Sequence, residues 1–329
     1  MAQEKLLRID DLTKVFITGG GFYRSRVVAV NDASFSLKSG KPEIFTLAGE
    51  SGSGKTTLAR IILGLIEPTK GSVKYKNREV TQISKKEKRS WFMKEVQPIF
   101  QNPFETFSPL KKVDTYLYDT VANYNMAKKG QSIKEYVNEK LGVVGLLLEE
   151  VEGRFPNELS GGQLQRMSVA RALLTNPSLI IADEPVSMVD ASLRMSIVNL
   201  FKDLRDDLGV SVIYITHDLA TSYYVSDMIA IMFRGIIVEL GPVQKILDEP
   251  FHPYTQLLKK SIPEPDPEKR WTEETKISLS SMEKKEFQRE GCKFAGRCPQ
   301  AMDICTSLEP EGFFVDERTV KCHLYNNSN

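Results

Sequence analysis

The chain has 329 residues, 41% hydrophobic and 26% charged, a globular composition with enough apolar side chains to bury a core and too many for a disordered chain. Lys and Arg number 44 against 43 Asp and Glu, so the net charge is +1 and no overall basic field exists to hold nucleic acid or an anionic membrane. No apolar run approaches the roughly 18–20 residues of a spanning helix, and the N-terminal stretch lacks a signal peptide's apolar centre, so the sequence predicts a soluble, cytoplasmic chain that reaches a membrane only through partners.

Residues 1–40 alternate apolar and polar positions, which predicts short antiparallel strands with one wet face at 6–9, 27–30 and 34–37. Gly19-Gly20-Gly21 marks a loop or hairpin between the first two. The texture then changes. Ile44-Phe45-Thr46-Leu47-Ala48 is apolar with little alternation and runs into Gly49. Leu179-Ile180-Ile181-Ala182 runs into Asp183-Glu184, and Val212-Ile213-Tyr214-Ile215 into Thr216-His217. Such runs predict parallel strands buried on both faces, whose carboxyl ends are where α/β sheets bind ligands.

Gly49-Glu50-Ser51-Gly52-Ser53-Gly54-Lys55-Thr56 fits the pattern G-x-x-x-x-G-K-[ST], after a predicted strand and before a helix predicted at 57–65. Its glycines let successive backbone N–H groups face one anion, and the helix N-terminus adds its dipole. Lys55 supplies a point charge for the β/γ-phosphates, Thr56 a hydroxyl for Mg²⁺, and Thr57 continues the first turn. Asp183, ending an apolar strand, suits a Mg²⁺ carboxylate. Glu184 is a candidate base for an attacking water, because the turn before Pro185 brings both acids towards the site.

Residues 81–155 are more polar and broken by Pro103 and Pro109, which predicts an inserted helical subdomain. Leu159-Ser160-Gly161-Gly162-Gln163 opens a helix predicted at 164–174, on which Leu164, Met167, Arg171 and Leu174 share one face. The Ser-Gly-Gly opening offers a second anion site, which predicts service to a nucleotide held by another chain; the alternative is an ordinary helix cap. His217, at the end of a central strand, is a candidate site residue.

The segment Ile262-Pro263-Glu264-Pro265-Asp266-Pro267-Glu268-Lys269 predicts a stiff polar linker. All four cysteines lie beyond it, spaced Cys292-x5-Cys298-x6-Cys305-x16-Cys322. In a chain predicted to be cytoplasmic, this favours a metal or cluster over disulfides. Four thiolates suit a [4Fe–4S] cluster or structural Zn²⁺; the spacing lacks the paired C-x-x-C of zinc ribbons, and unligated thiols are the remaining alternative.

In this order, the phosphate loop, Gln101, residues 159–163, Asp183-Glu184, Asp190 and His217 resemble the ATPase subunit of an ATP-binding cassette (ABC) transporter. Phe251-His252-Pro253-Tyr254-Thr255 and Gly291-Cys292-Lys293-Phe294-Ala295-Gly296-Arg297-Cys298-Pro299 resemble the oligopeptide/dipeptide permease branch of importers. The resemblance implies an α/β fold: a P-loop NTPase with a RecA-like parallel core, an antiparallel β subdomain and an inserted helical subdomain at about 81–170. That ATPase domain would span 1–250, and 251–329 would form the cysteine-bearing extension.

The resemblance further implies that Gln101 contacts Mg²⁺ and the attacking water. Glu184 would polarise the water and His217 steady the γ-phosphate. Ser160 and Gly162 would complete the partner's site in a head-to-tail dimer, and Asp190 would link the two sites. Phe16 or Tyr23 would stack on adenine, the cysteines would hold an iron–sulfur cluster, and Phe104 and Phe107 would be either candidate anchors for a membrane subunit or simply subdomain core. The implied partners are a second, similar ATPase chain, two permease subunits and an extracytoplasmic binding protein, at the cytoplasmic face of the membrane and without nucleic acid. The branch implies peptides as cargo, with oligosaccharides or nickel as alternatives; a soluble ABC ATPase without a transport role is the rival from another class. Met188-Val189 replaces the family's usual Ala-Leu, and Leu164 stands where a basic or polar residue is common.

Overall fold

The computed structural model describes residues 4–18, 25–261 and 286–326. The glycine loop at 19–21, Tyr23 and the proline-rich segment 262–269 lie outside the described residues. Two sheets organise the rest. The smaller is antiparallel in the order β2-β1-β4-β5, built from β1 (Lys5–Thr18), β2 (Ser25–Lys38), β4 (Lys70–Tyr75) and β5 (Arg78–Glu79). The strands predicted at 27–30 and 34–37 are one strand, β2, carried through an irregularity. Asp11 and Asp32 adopt left-handed φ values of 48° and 50°, and the β1–β2 register slips beside them. Each irregularity shifts the alternation by one residue, so Val30 and Ala33 both face the core. The Asp11 N–H donates to the Ser34 hydroxyl and the Asp32 N–H to that of Thr13, so neither donor is stranded.

The larger sheet has the order β11-β12-β10-β9-β3-β8-β7-β6. Its strands are β3 (Ile44–Ala48), β6 (Val96–Ile99), β7 (Leu179–Asp183), β8 (Ser211–Thr216), β9 (Met228–Phe233), β10 (Ile236–Pro242), β11 (Phe313–Val315) and β12 (Arg318–Val320). Strands β9, β3, β8, β7 and β6 pair in parallel; β10, β12 and β11 continue antiparallel. Both faces of the centre are buried, which is why the sequence there does not alternate.

Alternate side chains nonetheless enter different cores. Phe45, Leu47, Ile181, Ile213 and Ile215 pack with β1, β2 and the helix Lys55–Ile62. Ile44, Ile180, Val212 and Tyr214 pack with the helices Val113–Tyr124, Ile133–Val143, Gly161–Leu173 and Ala191–Asp206. A third core joins β9 and β10 to the helix Val243–Asp248, Tyr254 and Phe294.

The C-terminal segment is therefore part of the main sheet. β12 pairs with β10, and the Lys321 N–H reaches the Val238 carbonyl at 2.9 Å. The β11–β12 turn sits on Asp316 and Glu317, at φ 47° and 62°. Arg318 is buried over the Phe251 ring, 3.7 Å from its centroid, and donates to the Lys245 and Glu249 carbonyls. Glu239, also buried, accepts the N–H groups of Phe251 and His252 at 3.0 and 3.1 Å. No helix among the described residues is long and apolar enough to cross a membrane.

Candidate functional site

Strands β3, β8 and β7 are neighbours, with Ala48 beside Thr216 and Asp183 beside Ile215. Their carboxyl ends therefore deliver the loop from Gly49, the turn at His217 and the turn at Glu184 to one edge of the sheet.

The loop after β3 curls as the glycine pattern predicts. Gly49, Gly52 and Gly54 have φ values of 147°, 75° and 105°. A methyl at Gly49 would stand 2.1 Å from the Met232 carbonyl oxygen, and one at Gly54 would stand 2.2 Å from that of Ala29; neither position admits a side chain. The Ser53 N–H returns to the Glu50 carbonyl. The helix opens directly at Lys55, two residues before its predicted start, with Gly54 as its cap. Lys55 lies under the loop and donates to the carbonyls of Gly49 and Glu50, both at 2.8 Å. Burial lowers its pKa, while Glu184, Asp183 and Glu50 favour the charged form. Ser51, Gly52 and Thr56 are exposed, and Thr57 is half-buried in the first helical turn.

Thr56, Gln101 and Asp183 line one cleft of about 230 Å³. Burial raises the Asp183 pKa, while the nearby Thr56 hydroxyl favours its charged form. The Asp183 Oδ1 is buried with no hydrogen-bond partner among the described residues, a residual acceptor of the kind a divalent cation satisfies. These three residues fit a Mg²⁺ ion. Glu184, the next residue, turns the chain with a left-handed φ of 48°, a sparsely populated conformation for a non-glycine residue. Its N–H pairs with the Ile215 carbonyl at 2.9 Å, and the Ser187 hydroxyl donates to its carbonyl. The reversal aims its carboxylate at His217, whose Nδ1 lies 2.9 Å away. Glu184, His217 and Arg194 line a second cavity of about 340 Å³.

Ser160 caps the helix Gly161–Leu173, three residues before its predicted start. Its hydroxyl accepts the Gln163 N–H at 3.2 Å, and the Gln163 side chain answers the Ser160 N–H at 3.0 Å. Leu159 and Gly162 are buried, the latter against Leu193, while Ser160 and Asp190 are exposed. None of residues 159–163 lines either cavity. Phe16 is exposed on β1 with the Lys14 ammonium over its ring; Tyr23 lies outside the described residues. The two aromatic residues after Gln101 divide. Phe104 is 48% exposed, whereas Phe107 is fully buried edge-to-face against Tyr116, which corrects its reading as a surface anchor.

The four cysteines are free thiols that converge. Burial is the main force raising the Cys322 pKa, to about 11, and the neighbouring Cys292, Cys298 and Cys305 add to it. Backbone N–H groups approach the sulfurs: Phe294 and Ala295 at Cys292, Gln300 at Cys298 and Leu324 at Cys322. Such donors suit thiolates that carry charge. Among the described residues no group of three or more His, Cys, Asp or Glu side chains is drawn tight enough to grip an ion. His323 turns its Nε2 to the Leu308 carbonyl.

Residues from the far end of the chain reach the loop unannounced by any local spacing. The Glu50 N–H donates to the Tyr254 hydroxyl at 3.0 Å, and the Arg297 guanidinium meets the Glu50 carboxylate with both terminal nitrogens.

A family profile described as ABC transporter matches residues 30–187, and one described as the oligopeptide/dipeptide transporter C-terminal region matches 238–305. The chain is 36% identical over 327 residues to the oligopeptide transport ATP-binding protein AppF of Bacillus subtilis (strain 168), covering 98% of each chain. It is 36% identical over 325 residues to the di/tripeptide transport ATP-binding protein DppF of Pseudomonas aeruginosa (strain UCBPP-PA14), covering 97% of this chain and 98% of that one. Its fold is similar to that of the ATP-binding cassette MJ0796, solved as a dimer in a post-hydrolysis state with ADP and Pi: the TM-score is 0.63 at 27% identity, over 72% of this chain and 98% of that one.

Proposed function

The chain belongs to the ATP-binding subunits of ABC transporters, in the oligopeptide/dipeptide branch, and from that premise we propose how its residues drive import. It is an ATPase whose turnover is coupled to peptide transport. The observation that carries this reading is the convergence of the phosphate loop, Asp183, Glu184 and His217 at one edge of the parallel sheet.

Phosphoryl transfer to water needs charge neutralisation and alignment more than covalent chemistry. Lys55 and the N–H groups that the loop of residues 49–57 leaves open hold the phosphates. Thr56, Gln101 and Asp183 hold Mg²⁺, which neutralises phosphate charge when bound. Glu184 takes a proton from the attacking water, and His217 steadies both Glu184 and the γ-phosphate. Ser160 and Gly162 serve the nucleotide of a second ATPase chain, with Asp190 between the two sites. That second chain is a similar but different subunit. Closure of the pair is favoured by ATP because the closed state alone adds the second chain's contacts to the γ-phosphate. Phe16 stacks on adenine. Phe104, exposed beside Gln101, contacts a permease subunit; two such subunits and an extracytoplasmic binding protein complete the importer, with this chain at the cytoplasmic face. The four cysteines, drawn closer than the described side chains lie, would hold a [4Fe–4S] cluster with a structural role.

Two measurements test these assignments. In cells stripped of their own copy, the chain should restore uptake of labelled oligopeptide, and Lys55→Ala should not. Uptake of an oligosaccharide or nickel instead of peptide would overturn the cargo, and no membrane association would overturn the transport role. Protein purified without oxygen should be coloured and carry about four iron atoms per chain; colourless protein or stoichiometric zinc would refute the cluster.

A further inference from the structure

The phosphate loop is gripped by the part of the chain that bears the cysteines. Arg297 stands one residue before Cys298, in the five-residue span that follows Cys292. Its two terminal nitrogens lie 3.1 and 3.2 Å from the Glu50 carboxylate oxygens, a bidentate pairing across 247 residues of sequence. The Arg297 Nε lies 2.7 Å from Glu286, close but not aligned for a hydrogen bond. Glu286 also accepts from the Arg234 Nε at 2.8 Å, and Arg234 approaches Glu50 at 3.8 Å. Two cations and two anions thus close a ring whose members Arg234, Glu286 and Arg297 are almost wholly buried. Phe233 lies under both guanidinium groups.

Two further contacts hold the same loop. The Tyr254 hydroxyl accepts the Glu50 N–H at 3.0 Å, and the Gly235 N–H donates to the Ser53 carbonyl at 2.9 Å. Glu50 is the only charged residue between Gly49 and Gly54. A phosphate-binding turn has no need of an anion, and this one carries its negative charge away from the nucleotide side, into the ring. Lys55, beneath the loop, accepts its orientation from the carbonyls of Gly49 and Glu50. Whatever fixes Glu50 therefore fixes the cradle and its lysine together.

We propose that Arg297 is a positioning residue for ATP: through Glu50, the cysteine-bearing segment holds the phosphate loop in its binding conformation. Arg297 touches no phosphate. It lowers the cost of ordering the loop, so it acts on nucleotide affinity more than on turnover. The inference rests on the reading that this loop binds ATP, and it does not depend on what the thiols hold.

Titration of the full chain with Mg-ATP tests it, using Arg297→Ala, Glu50→Gln and the double variant. Each single change should raise Kd and KM about tenfold while kcat at saturating ATP stays within about threefold. The double variant should lose no more than either single one, since one contact is being removed twice. Singles within about twofold of the parent, or a double loss equal to the product of the two, would overturn the proposal. If Arg297→Ala does not fold, Arg297→Lys, which keeps the charge but not the fork, decides with Glu50→Gln by the same criteria. Failure of the parent itself to bind Mg-ATP would instead overturn the functional reading.

Discussion

Glu184→Gln should bind Mg-ATP as tightly as the parent and hydrolyse it about 10²–10⁴-fold more slowly, the usual contribution of a positioned general base. The amide keeps the size and reach of the carboxylate, and it can still meet His217 Nδ1, which lies 2.9 Å from the acid. The left-handed backbone at this position is held by the Ile215 carbonyl and the Ser187 hydroxyl, and neither contact depends on the side chain. Proton acceptance is therefore the property removed. With hydrolysis blocked, ATP should hold this chain to its partner ATPase subunit, seen when the two are mixed as a complex of both chains in size-exclusion chromatography with ATP and not with ADP. Turnover close to that of the parent would show that another group activates the water.

The second large effect concerns acid. His252 is fully buried, its Nδ1 accepts the Tyr254 N–H at 3.0 Å, and burial lowers its pKa from 6.5 to about 3. Protonation would place a charge in an apolar core and remove the cap from the helix Pro253–Lys260. The unfolded chain takes up this proton near pH 6.5 and the folded chain does not. The contribution is thus complete above pH 6.5 and is lost progressively as the pH falls towards 3. Between pH 7 and 5 the loss is about 2 kcal/mol. Glu239, whose pKa burial raises, works in the opposite sense, gaining stability as pH falls, but it is common to parent and variant. Urea unfolding at pH 5, 6 and 7 should therefore show a steeper acid loss in the parent than in His252→Asn, which can cap without titrating. Equal slopes would refute the assignment.

How much of this was legible beforehand follows from the range of each interaction. The phosphate loop, Asp183-Glu184 and Thr216-His217 are local patterns at the ends of apolar runs, and the sheet topology gathers them at one edge. The division of the central strands between two cores is hidden in sequence because burial on both faces erases alternation. β2 reads as two strands because the Asp32 irregularity shifts the phase of its apolar positions. Phe104 and Phe107 look equivalent in sequence, and only the packing of Tyr116 separates them. The ring joining Glu50 to Arg297 spans most of the chain, and no periodicity reports a pairing of that length. The left-handed φ of Glu184 is likewise invisible, since nothing but tertiary contacts holds a glutamate there.

The hairpin of β11 and β12 closes one side of the large sheet. It lies along β10, a strand buried along most of its length, and takes up backbone groups that would otherwise form the margin of the large sheet. A margin of that kind is an invitation to pair with another copy of the same chain. The outermost strand is instead only three residues long, Phe313–Val315, which leaves little free edge for a stranger to extend. The tail is thus the selvedge of the sheet: it hems the side along β10 and leaves a strand of three residues at the rim.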